Sequence, residues 1–418
     1  MKIAVVGSGI SGLTSAYLLS RKHEVHLFEA ADYIGGHTHT VDVETPSGRH
    51  AIDTGFIVFN DWTYPNFIRL LSRLGVESQP TAMSFSVKAE GRDFEYTGTK
   101  FNGLFAQRLN LVRPSFIRMI RDILRFNRES LETLDRPDEG ETLGRYLARH
   151  EYGREFKEHY IIPMGAAIWS ASSRQMEDFP VQYFVRFFKN HGLLSVDERP
   201  QWRVVRSGSR SYLPAITNPF AERIHLRSPV RAIERERNGV LLVVEGMDGR
   251  QQIRFDEVIL SCHSDQAVRI LGQGASAEER QILSAFAYQP NSTVLHTDTR
   301  VLPRRGRAWA AWNYWIPSNA RDKVAVTYDM NLLQGLKTPE TFCVSLNLDE
   351  KIDPARVLAR FVYDHPVYTA AAVVAQARWH EISGVNHTHF AGAYWGFGFH
   401  EDGVKSGVRI AQRFGEEL

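Results

Sequence analysis

Three glycines near the start of the chain have the spacing of a turn that binds phosphate. Gly7, Gly9 and Gly12 follow a short apolar run, residues 3–6, of the kind that forms a buried strand. In such a turn the first glycine permits a tight bend, the second lets a pyrophosphate approach the backbone, and the third lets helix and strand pack closely. Glu29 lies 22 residues after Gly7, where a carboxylate can accept hydrogen bonds from ribose hydroxyls. The spacing predicts a dinucleotide site rather than an ordinary strand–turn–helix.

A glycine pair beyond the ribose acid indicates which dinucleotide binds. A nicotinamide site has no need of Gly35 and Gly36. Together with Glu29 and Ala30 they match the pattern E-A-x-x-x-x-G-G-R, and the chain resembles the flavoprotein superfamily of monoamine oxidases, protoporphyrinogen oxidase and phytoene-type desaturases. The resemblance implies FAD, with this loop passing its pyrophosphate. His37 stands where the family has arginine, which weakens the expectation of a fixed positive charge there.

The end of the chain carries a second match to the same superfamily. Residues 390–411 resemble its F-A-G-E/D … G-x-x-x-G-A-x-x-S-G ending. The resemblance implies that Gly392 lies beside the ribityl-pyrophosphate and that a helix starting near Gly403 points its positive end at the flavin. Ala393 stands where the family usually has an acid, and the segment has no cysteine, so non-covalent FAD is expected. The expected FAD-binding residues are Gly7, Gly9, Ser11, Gly12, Glu29, Ala30, Gly35, Gly36, His37, Thr38, Val230, Gly392, Gly403 and Val404.

The order of these segments predicts an α/β fold, α+β overall, with two domains. The resemblance implies a discontinuous, Rossmann-like FAD-binding domain of the glutathione-reductase type, formed by residues 1–80, 203–270 and 380–418. A substrate domain with helices and an antiparallel sheet would take residues 81–202 and 271–379. Strand-like runs for that sheet lie at residues 292–299, 309–315, 323–328 and 342–348.

Aromatic residues of the substrate domain and of the C-terminal segment predict an apolar pocket. The candidates are Trp169, Trp312, Tyr314, Tyr394, Trp395 and Phe397. His296 falls, by its rough position, where amine oxidases carry a lysine that holds a water near the flavin. A histidine there could act as a base or orient a water. The alternative is a histidine satisfied by hydrogen bonds between strands.

Residues 101–128 carry six arginines among large apolar side chains. From Arg113 onward the pattern predicts a helix that is basic on one side and apolar on the other. Such a helix can lie on an anionic membrane. It can also be a surface helix that packs its apolar side against the core, which is the commoner arrangement.

Composition and charge bound the class of protein. The chain has 418 residues, 43% of them hydrophobic and 23% charged, and a net charge of +2, so it is an ordinary globular chain with no indication of a nucleic-acid partner. Two cysteines give no disulfide framework, which suits a reducing cytosol. Neither a signal peptide nor a membrane-spanning run is recognisable, so we expect a cytoplasmic protein, free or peripheral on the inner face of the membrane. The His-x-His pairs at 37–39 and 387–389 lack companion ligands, so no metal site is expected.

The pattern predicts an FAD-dependent oxidoreductase that removes hydride from carbon beside nitrogen or beside a double bond. The chain has no second G-x-G-x-x-G turn for a nicotinamide, so dioxygen, a quinone or another carrier is expected to reoxidise the flavin. Residues 398–403 are most similar to a bacterial amine-oxidase-like branch associated with cyclopropane-fatty-acid-synthase-type methyltransferases. That resemblance implies a lipid acyl substrate and a lipid methyltransferase as functional partner. An amine oxidase is the alternative, and a non-catalytic, flavin-bound subunit of a lipid-modifying complex is a second one.

Overall fold

The computed structural model describes residues 1–91, 93–98, 101–247, 249–318 and 323–418, with only the backbone of residues 101 and 102. Its strands are β1 Lys2–Val6, β2 Glu24–Phe28, β3 Thr40–Thr45, β4 Gly48–Asp53, β5 Val58–Asn60, β6 Ser78–Pro80, β7 Phe85–Ala89, β8 Glu95–Thr97, β9 Trp202–Val205, β10 Ile224–His225, β11 Val230–Glu236, β12 Gly239–Gly246, β13 Gly249–Phe255, β14 Glu257–Leu260, β15 Ala287–His296, β16 Trp312–Ile316, β17 Val326–Asp329, β18 Cys343–Leu346, β19 Val357–Val367 and β20 Thr388–Phe390. Its α-helices are α1 Ile10–Leu19, α2 Pro65–Leu74, α3 Phe101–Leu104, α4 Pro114–Glu129, α5 Leu143–Arg149, α6 Arg154–Phe156, α7 Ile162–Trp169, α8 Ser173–Glu177, α9 Val181–Asn190, α10 Leu213–Thr217, α11 Ser264–Leu271, α12 Ala277–Leu283, α13 Met330–Gln334, α14 Ala370–Ala377, α15 Trp379–Ile382 and α16 His400–Arg413.

A parallel sheet carries the glycine turn. Its described strands lie in the order β10-β2-β1-β14-β20, and each neighbouring pair is parallel. β1 is buried on both faces, because Ile3 and Val5 pack in one core with α1 and α16, whereas Ala4 and Val6 pack in another with β11 and β12. This is the predicted Rossmann-like arrangement, and the α/β fold class is confirmed.

A second large sheet runs in the order β19-β15-β18-β17-β16-β7-β8 among the described strands. All of them lie within residues 81–202 and 271–379. The predicted antiparallel pairing is found for each neighbouring pair except β16 and β7, which are parallel, with Trp312 opposite Phe85. The sequence could not indicate this pair, because β7 comes far earlier in the chain and nothing local shows which strand it joins.

Helices α4 to α9 pack an aromatic core against the second sheet. Phe126 of α4 is fully buried, and Trp169 at the end of α7 packs against Phe179 and Phe187 with ring centroids 4.6 and 4.7 Å apart. α4 begins at Pro114, one residue after the predicted start. None of the helices in the described ranges combines the length and the apolar character needed to cross a bilayer.

Candidate functional site

A cavity of about 760 Å³ lies between the two large sheets. One part of its wall comes from the turns that follow β1, β2, β14 and β20. These turns lie at the carboxyl ends of parallel strands, the edge at which open α/β sheets bind ligands. The opposite part comes from α7, β16, β17, β18 and β19, and the volume is that of a small-molecule or cofactor pocket.

The glycine turn presents bare backbone to this cavity. Gly7 has φ of +102°, and its N–H donates to the carbonyl of Phe28 at 2.8 Å, which closes the turn onto β2. A Cβ on Gly9 would meet no atom within 4 Å, because Gly9 faces the open cavity. A Cβ on Gly12 would lie 2.1 Å from the carbonyl oxygen of Gly7. A ligand can therefore approach the backbone at Gly9, whereas Gly12 is where helix and strand touch.

Glu29 is fixed in the cavity wall by three hydrogen bonds. Ser8 donates to its carboxylate from the N–H at 2.9 Å and from the hydroxyl at 2.6 Å, and the N–H of Ala31 donates at 2.9 Å. The same Ser8 hydroxyl accepts from the N–H of Gly35 at 3.1 Å, so the turn, the acid and the glycine pair form one unit. A carboxylate accepts about four hydrogen bonds, so Glu29 keeps capacity for a ligand hydroxyl.

His37 brings an unpartnered nitrogen to the cavity. Its Nε2 is buried and has no hydrogen-bond partner among the described residues, although the ring lines the cavity. Burial, reinforced by the nearby His365, His263 and His39, lowers the pKa of His37 to about 3, so the ring is neutral. Buried polar atoms are almost always hydrogen-bonded, which indicates that a polar ligand completes this wall.

Comparison with known proteins identifies the family. The family model of flavin-containing amine oxidoreductases matches residues 10–340, most of the chain. The chain belongs to the flavin-containing amine oxidoreductases. It is therefore an FAD-dependent oxidoreductase, and the predictions of the superfamily, of the cofactor and of an enzyme are confirmed.

Solved structures share the fold of this oxidoreductase. Cyclohexylamine oxidase from Brevibacterium oxydans IH-35A has a TM-score of 0.66 at 17% identity, with 99% of both chains covered. CLA-producing fatty acid isomerase from P. acnes has a TM-score of 0.70 at 13% identity, with 99% of this chain and 98% of that chain covered. In sequence, zeta-carotene desaturase of Synechocystis sp. is 35% identical over 116 residues, and the match spans 23% of that protein and 25% of this chain. The low structural identities show the fold alone.

The residues present fit FAD. The expected FAD-binding residues that line the cavity are Gly7, Gly9, Ser11, Glu29, Ala30, Gly35, Gly36, His37, Val230 and Gly392. Bare backbone at Gly9 suits phosphate, the carboxylate of Glu29 suits ribose hydroxyls, and the free nitrogen of His37 suits a phosphate or ring atom. These residues would hold the cofactor of this oxidoreductase, which supplies a hydride acceptor when bound.

Four of the expected FAD-binding residues do not line the cavity, so their contact with the cofactor stays a prediction. They are Gly12, Thr38, Gly403 and Val404. Thr38 is 1% exposed, and its hydroxyl hydrogen-bonds to the hydroxyl of Tyr212. A Cβ on Gly403 would lie 2.5 Å from Cγ2 of Ile10, and Val404 is fully buried, because this side of α16 packs against α1. The four residues position the site and do not line it.

The aromatic pocket residues divide in the same way. Trp169, Trp312, Tyr394 and Phe397 line the cavity. Tyr314 does not line the cavity. It follows Trp312 by two residues on β16, which moves it about 7 Å along the strand, and its ring lies in the aromatic core. Trp395 packs against Phe286, with ring centroids 5.3 Å apart, and does not line the cavity either. The lining of the cavity therefore gives no support to the prediction for these last two.

His296 does not line the cavity, and its surroundings favour the alternative of a histidine held by hydrogen bonds between strands. It is 0% exposed on β15, where its Nε2 donates to the hydroxyl of Ser345 at 2.8 Å and its Nδ1 accepts from the N–H of Asp298 at 3.0 Å. Burial lowers the pKa of His296 to about 4, so the ring is neutral. Both nitrogens are occupied, which is the arrangement of a histidine that joins neighbouring strands.

Replacing this histidine should affect stability and not flavin chemistry. We expect His296→Leu to lower the free energy of unfolding at neutral pH by about 1–3 kcal/mol, because it leaves the buried N–H of Asp298 unpaired. In the unfolded wild type, His296 takes up a proton below its usual pKa of 6.5, whereas in the folded protein it does so only near pH 4. Between these two pH values the proton stabilises the unfolded state, so His296 lowers the stability of the wild type as pH falls. The deficit of the variant in denaturant titrations should therefore shrink as pH falls. A slower flavin reduction at unchanged stability would restore the catalytic interpretation.

The sequence analysis missed the histidines of the cavity wall. These are His263, His365 and His400. The ring of His400 stacks on Phe56 with centroids 3.6 Å apart, and its Nε2 lies 2.9 Å from the hydroxyl of Tyr212. Burial, with a contribution from His37, holds the pKa of His400 well below its usual value. His400 belongs to the C-terminal motif and could have been recognised there. It was missed because the helix was expected to begin near Gly403, whereas α16 begins three residues earlier, at His400.

Proposed function

We propose that this oxidoreductase removes hydride from a lipid acyl chain and so desaturates or oxidises it. The observation that carries the proposal is an apolar wall on one part of the cavity. Its side chains are Ile168, Trp169, Trp312, Tyr328, Leu346 and Phe397. Among the described lining residues, the carboxylate and guanidinium groups belong to Glu29, Arg231, Arg269 and Asp364, none of which is on α7, β16, β17 or β18.

This wall suits an acyl chain better than an amine. Each methylene buried against it contributes about 0.8 kcal/mol to binding. An alkylammonium group against α7, β16, β17 or β18 would lose its hydration with no carboxylate on those elements, which costs several kcal/mol unless aromatic faces compensate. The lining carboxylate on this side of the cavity is that of Asp364 on β19. The relatives' names do not decide between the two classes: a fatty acid isomerase and a zeta-carotene desaturase are named for long apolar molecules, whereas cyclohexylamine oxidase is named for an amine. The apolar wall therefore carries the proposal.

The proposed reaction breaks a C–H bond on each of two neighbouring carbons, one as hydride and one as a proton, and leaves a double bond. FAD, when bound, would accept the hydride, and dioxygen, a quinone or another carrier would reoxidise it. The apolar side chains orient the chain and exclude water. The rings of His37, His365 and His400 are neutral because burial lowers their pKa values, so a base is available in the wall for the proton.

A matched pair of substrates tests this proposal. The enzyme with FAD is mixed anaerobically with an oleoyl phospholipid and, separately, with oleylamine, which carries the same chain. We expect the phospholipid to bleach the flavin absorbance and to yield a product two hydrogens lighter by mass spectrometry. Bleaching by the amine alone would overturn the proposal in favour of an amine oxidase, whose cation the aromatic wall would hold. Bleaching by neither would also overturn the proposal, because the substrate would then belong to neither class.

A charge placed in the apolar wall should separate substrate binding from cofactor binding. Ile168 is half-buried and lines the cavity. We expect Ile168→Glu to slow flavin reduction by the acyl lipid by about tenfold or more, because the chain would have to desolvate a carboxylate. The matched Ile168→Leu variant should retain the wild-type rate, and both should carry the same FAD content. An unchanged rate in Ile168→Glu would place the substrate elsewhere.

A further inference from the structure

A cluster of large aliphatic side chains stands exposed in front of α4. It lies on the 3-10 turn Arg108–Leu111 and the residue that follows it. Leu109 is 69% exposed, Leu111 43% and Val112 77%. Single exposed apolar residues are ordinary, but several in one short segment mark a surface that binds something.

The outer face of α4 continues this cluster. The inner face of the helix buries Phe116, Met119 and Phe126 in the aromatic core. A second apolar series faces outward, with Ile117 39% exposed and Leu124 53% exposed. Together with the exposed Arg121 and Arg128 they recur at helical spacing, Ile117, Arg121, Leu124, Arg128, and so form one stripe. The inner series packs against the core, and the outer series is left unpartnered.

This surface is also strongly basic. Residues 101–128 contain six arginines and one acidic residue, Asp122, in a chain whose net charge is only +2. Asp122 is buried and accepts a hydrogen bond from the N–H of Gly153 at 2.9 Å. Among the described residues, Arg113, Arg118 and Arg121 have no carboxylate within ion-pair distance. Their guanidinium groups are therefore available to an anionic partner.

We propose that Arg108–Leu111, Val112 and the outer face of α4 form a docking surface for an anionic lipid bilayer. Aliphatic side chains beside Arg113, Arg118 and Arg121 complement such a surface. The aliphatic side chains would enter the acyl-chain region, and these arginines would bind lipid phosphates. A second protein copy would leave these positive charges opposed to one another, which disfavours it as the occupant. The proposed association is peripheral, because the docking side chains lie on one surface turn and on the outer face of α4. The proposal does not depend on which substrate the enzyme oxidises.

Vesicle co-sedimentation of the FAD-loaded enzyme tests the surface. We expect binding to vesicles of phosphatidylcholine with phosphatidylglycerol, weaker binding to phosphatidylcholine alone, and loss of binding as salt rises. The triple variant Arg113→Ser/Arg118→Ser/Arg121→Ser should weaken binding to the anionic vesicles on the order of 100-fold. The charge-retaining triple Arg→Lys variant at the same positions should bind nearly as the wild type does.

The apolar contribution has its own control. Leu109→Ser/Val112→Ser should weaken vesicle binding by roughly tenfold or more, because less apolar area enters the membrane. Met247→Ser/Val374→Ser removes two other exposed apolar side chains, 85% and 63% exposed, and should leave binding unchanged. Flavin content and melting temperature verify that each variant is folded. The proposal would be overturned if both double variants lost vesicle binding equally, or if the wild type did not bind vesicles. It would also be overturned if the wild type were a dimer that the Leu109→Ser/Val112→Ser substitutions dissociate.

Discussion

Gly9→Val is expected to abolish FAD binding while leaving the protein folded. Gly9 has φ of −61° and ψ of 170°, which any residue can adopt, and a Cβ there would meet no protein atom within 4 Å. The added side chain therefore causes no strain in the fold and projects into the cavity, where the cofactor must approach the backbone. We expect the affinity for FAD to fall on the order of 100-fold or more, about 3 kcal/mol.

Two other glycine substitutions show that the effect is specific to this position. Gly306→Val also places a Cβ in open space but does not line the cavity, so its FAD content and stability should match the wild type. Gly12→Val would drive a Cβ into the carbonyl of Gly7 and should lower the melting temperature first. The measurements are flavin absorbance per protein and thermal unfolding by circular dichroism. A Gly9→Val protein that retains bound FAD would contradict the assignment of this turn.

The affinity for FAD is expected to increase as pH falls, through His37. Without the cofactor the pKa of His37 is lowered to about 3 by burial and by His365, His263 and His39. A bound diphosphate is anionic and would raise that pKa, so the complex takes up a proton that the free enzyme does not hold. Because proton uptake and FAD binding are linked, the affinity for FAD increases by up to about tenfold for each pH unit below the pKa of His37 in the complex. This gain in affinity is lost as the pH rises through that pKa. Calorimetric titrations at decreasing pH should show this slope together with proton uptake, between the pKa reached in the complex and the value of about 3 in the free enzyme.

Variants at His37 separate its contribution from that of its neighbours. His37→Gln cannot be protonated and should reduce the pH dependence, leaving only what His39, His263, His365 and His400 contribute. His37→Arg carries a permanent charge with a much higher pKa, so its affinity should be high and nearly independent of pH. Without FAD this arginine would be buried with no partner, and its apoprotein should be less stable than the wild type. The same slope in wild type and His37→Gln would assign the linkage to the other histidines.

Local sequence patterns predict the nucleotide half well because its constraints are local. The bend at Gly7, the open position at Gly9 and the close contact at Gly12 arise from backbone sterics within six residues. Glu29 lies beside the glycine turn because β2 pairs with β1, with Val6 opposite Phe28, so both strands end at the same edge of the sheet. The family's glycine pair could likewise be recognised, since Gly35 and Gly36 both have positive φ.

The rest of the site depends on how distant strands pair, which no local pattern contains. His296 and His365 lie on the neighbouring strands β15 and β19, yet only His365 lines the cavity. The alternation of side chains along a strand, and the register between strands, decide such placements, and a shift of one residue would reverse them. β19 itself was not predicted, and the parallel pairing of β16 with β7 was not visible either.

By itself, then, the sequence determined a dinucleotide site, because the glycine turn is built from contiguous residues under steric constraint. The resemblance of its motifs to the flavoprotein family implied FAD and the fold class. Only the tertiary structure decided which side chains surround the substrate cavity, because that wall is assembled from α7, β16, β17, β18 and β19. It likewise decided the two-sided character of α4. The sequence left membrane contact and core packing as alternatives, and the fold buries one apolar series of the helix while leaving the other, beside the arginines, exposed.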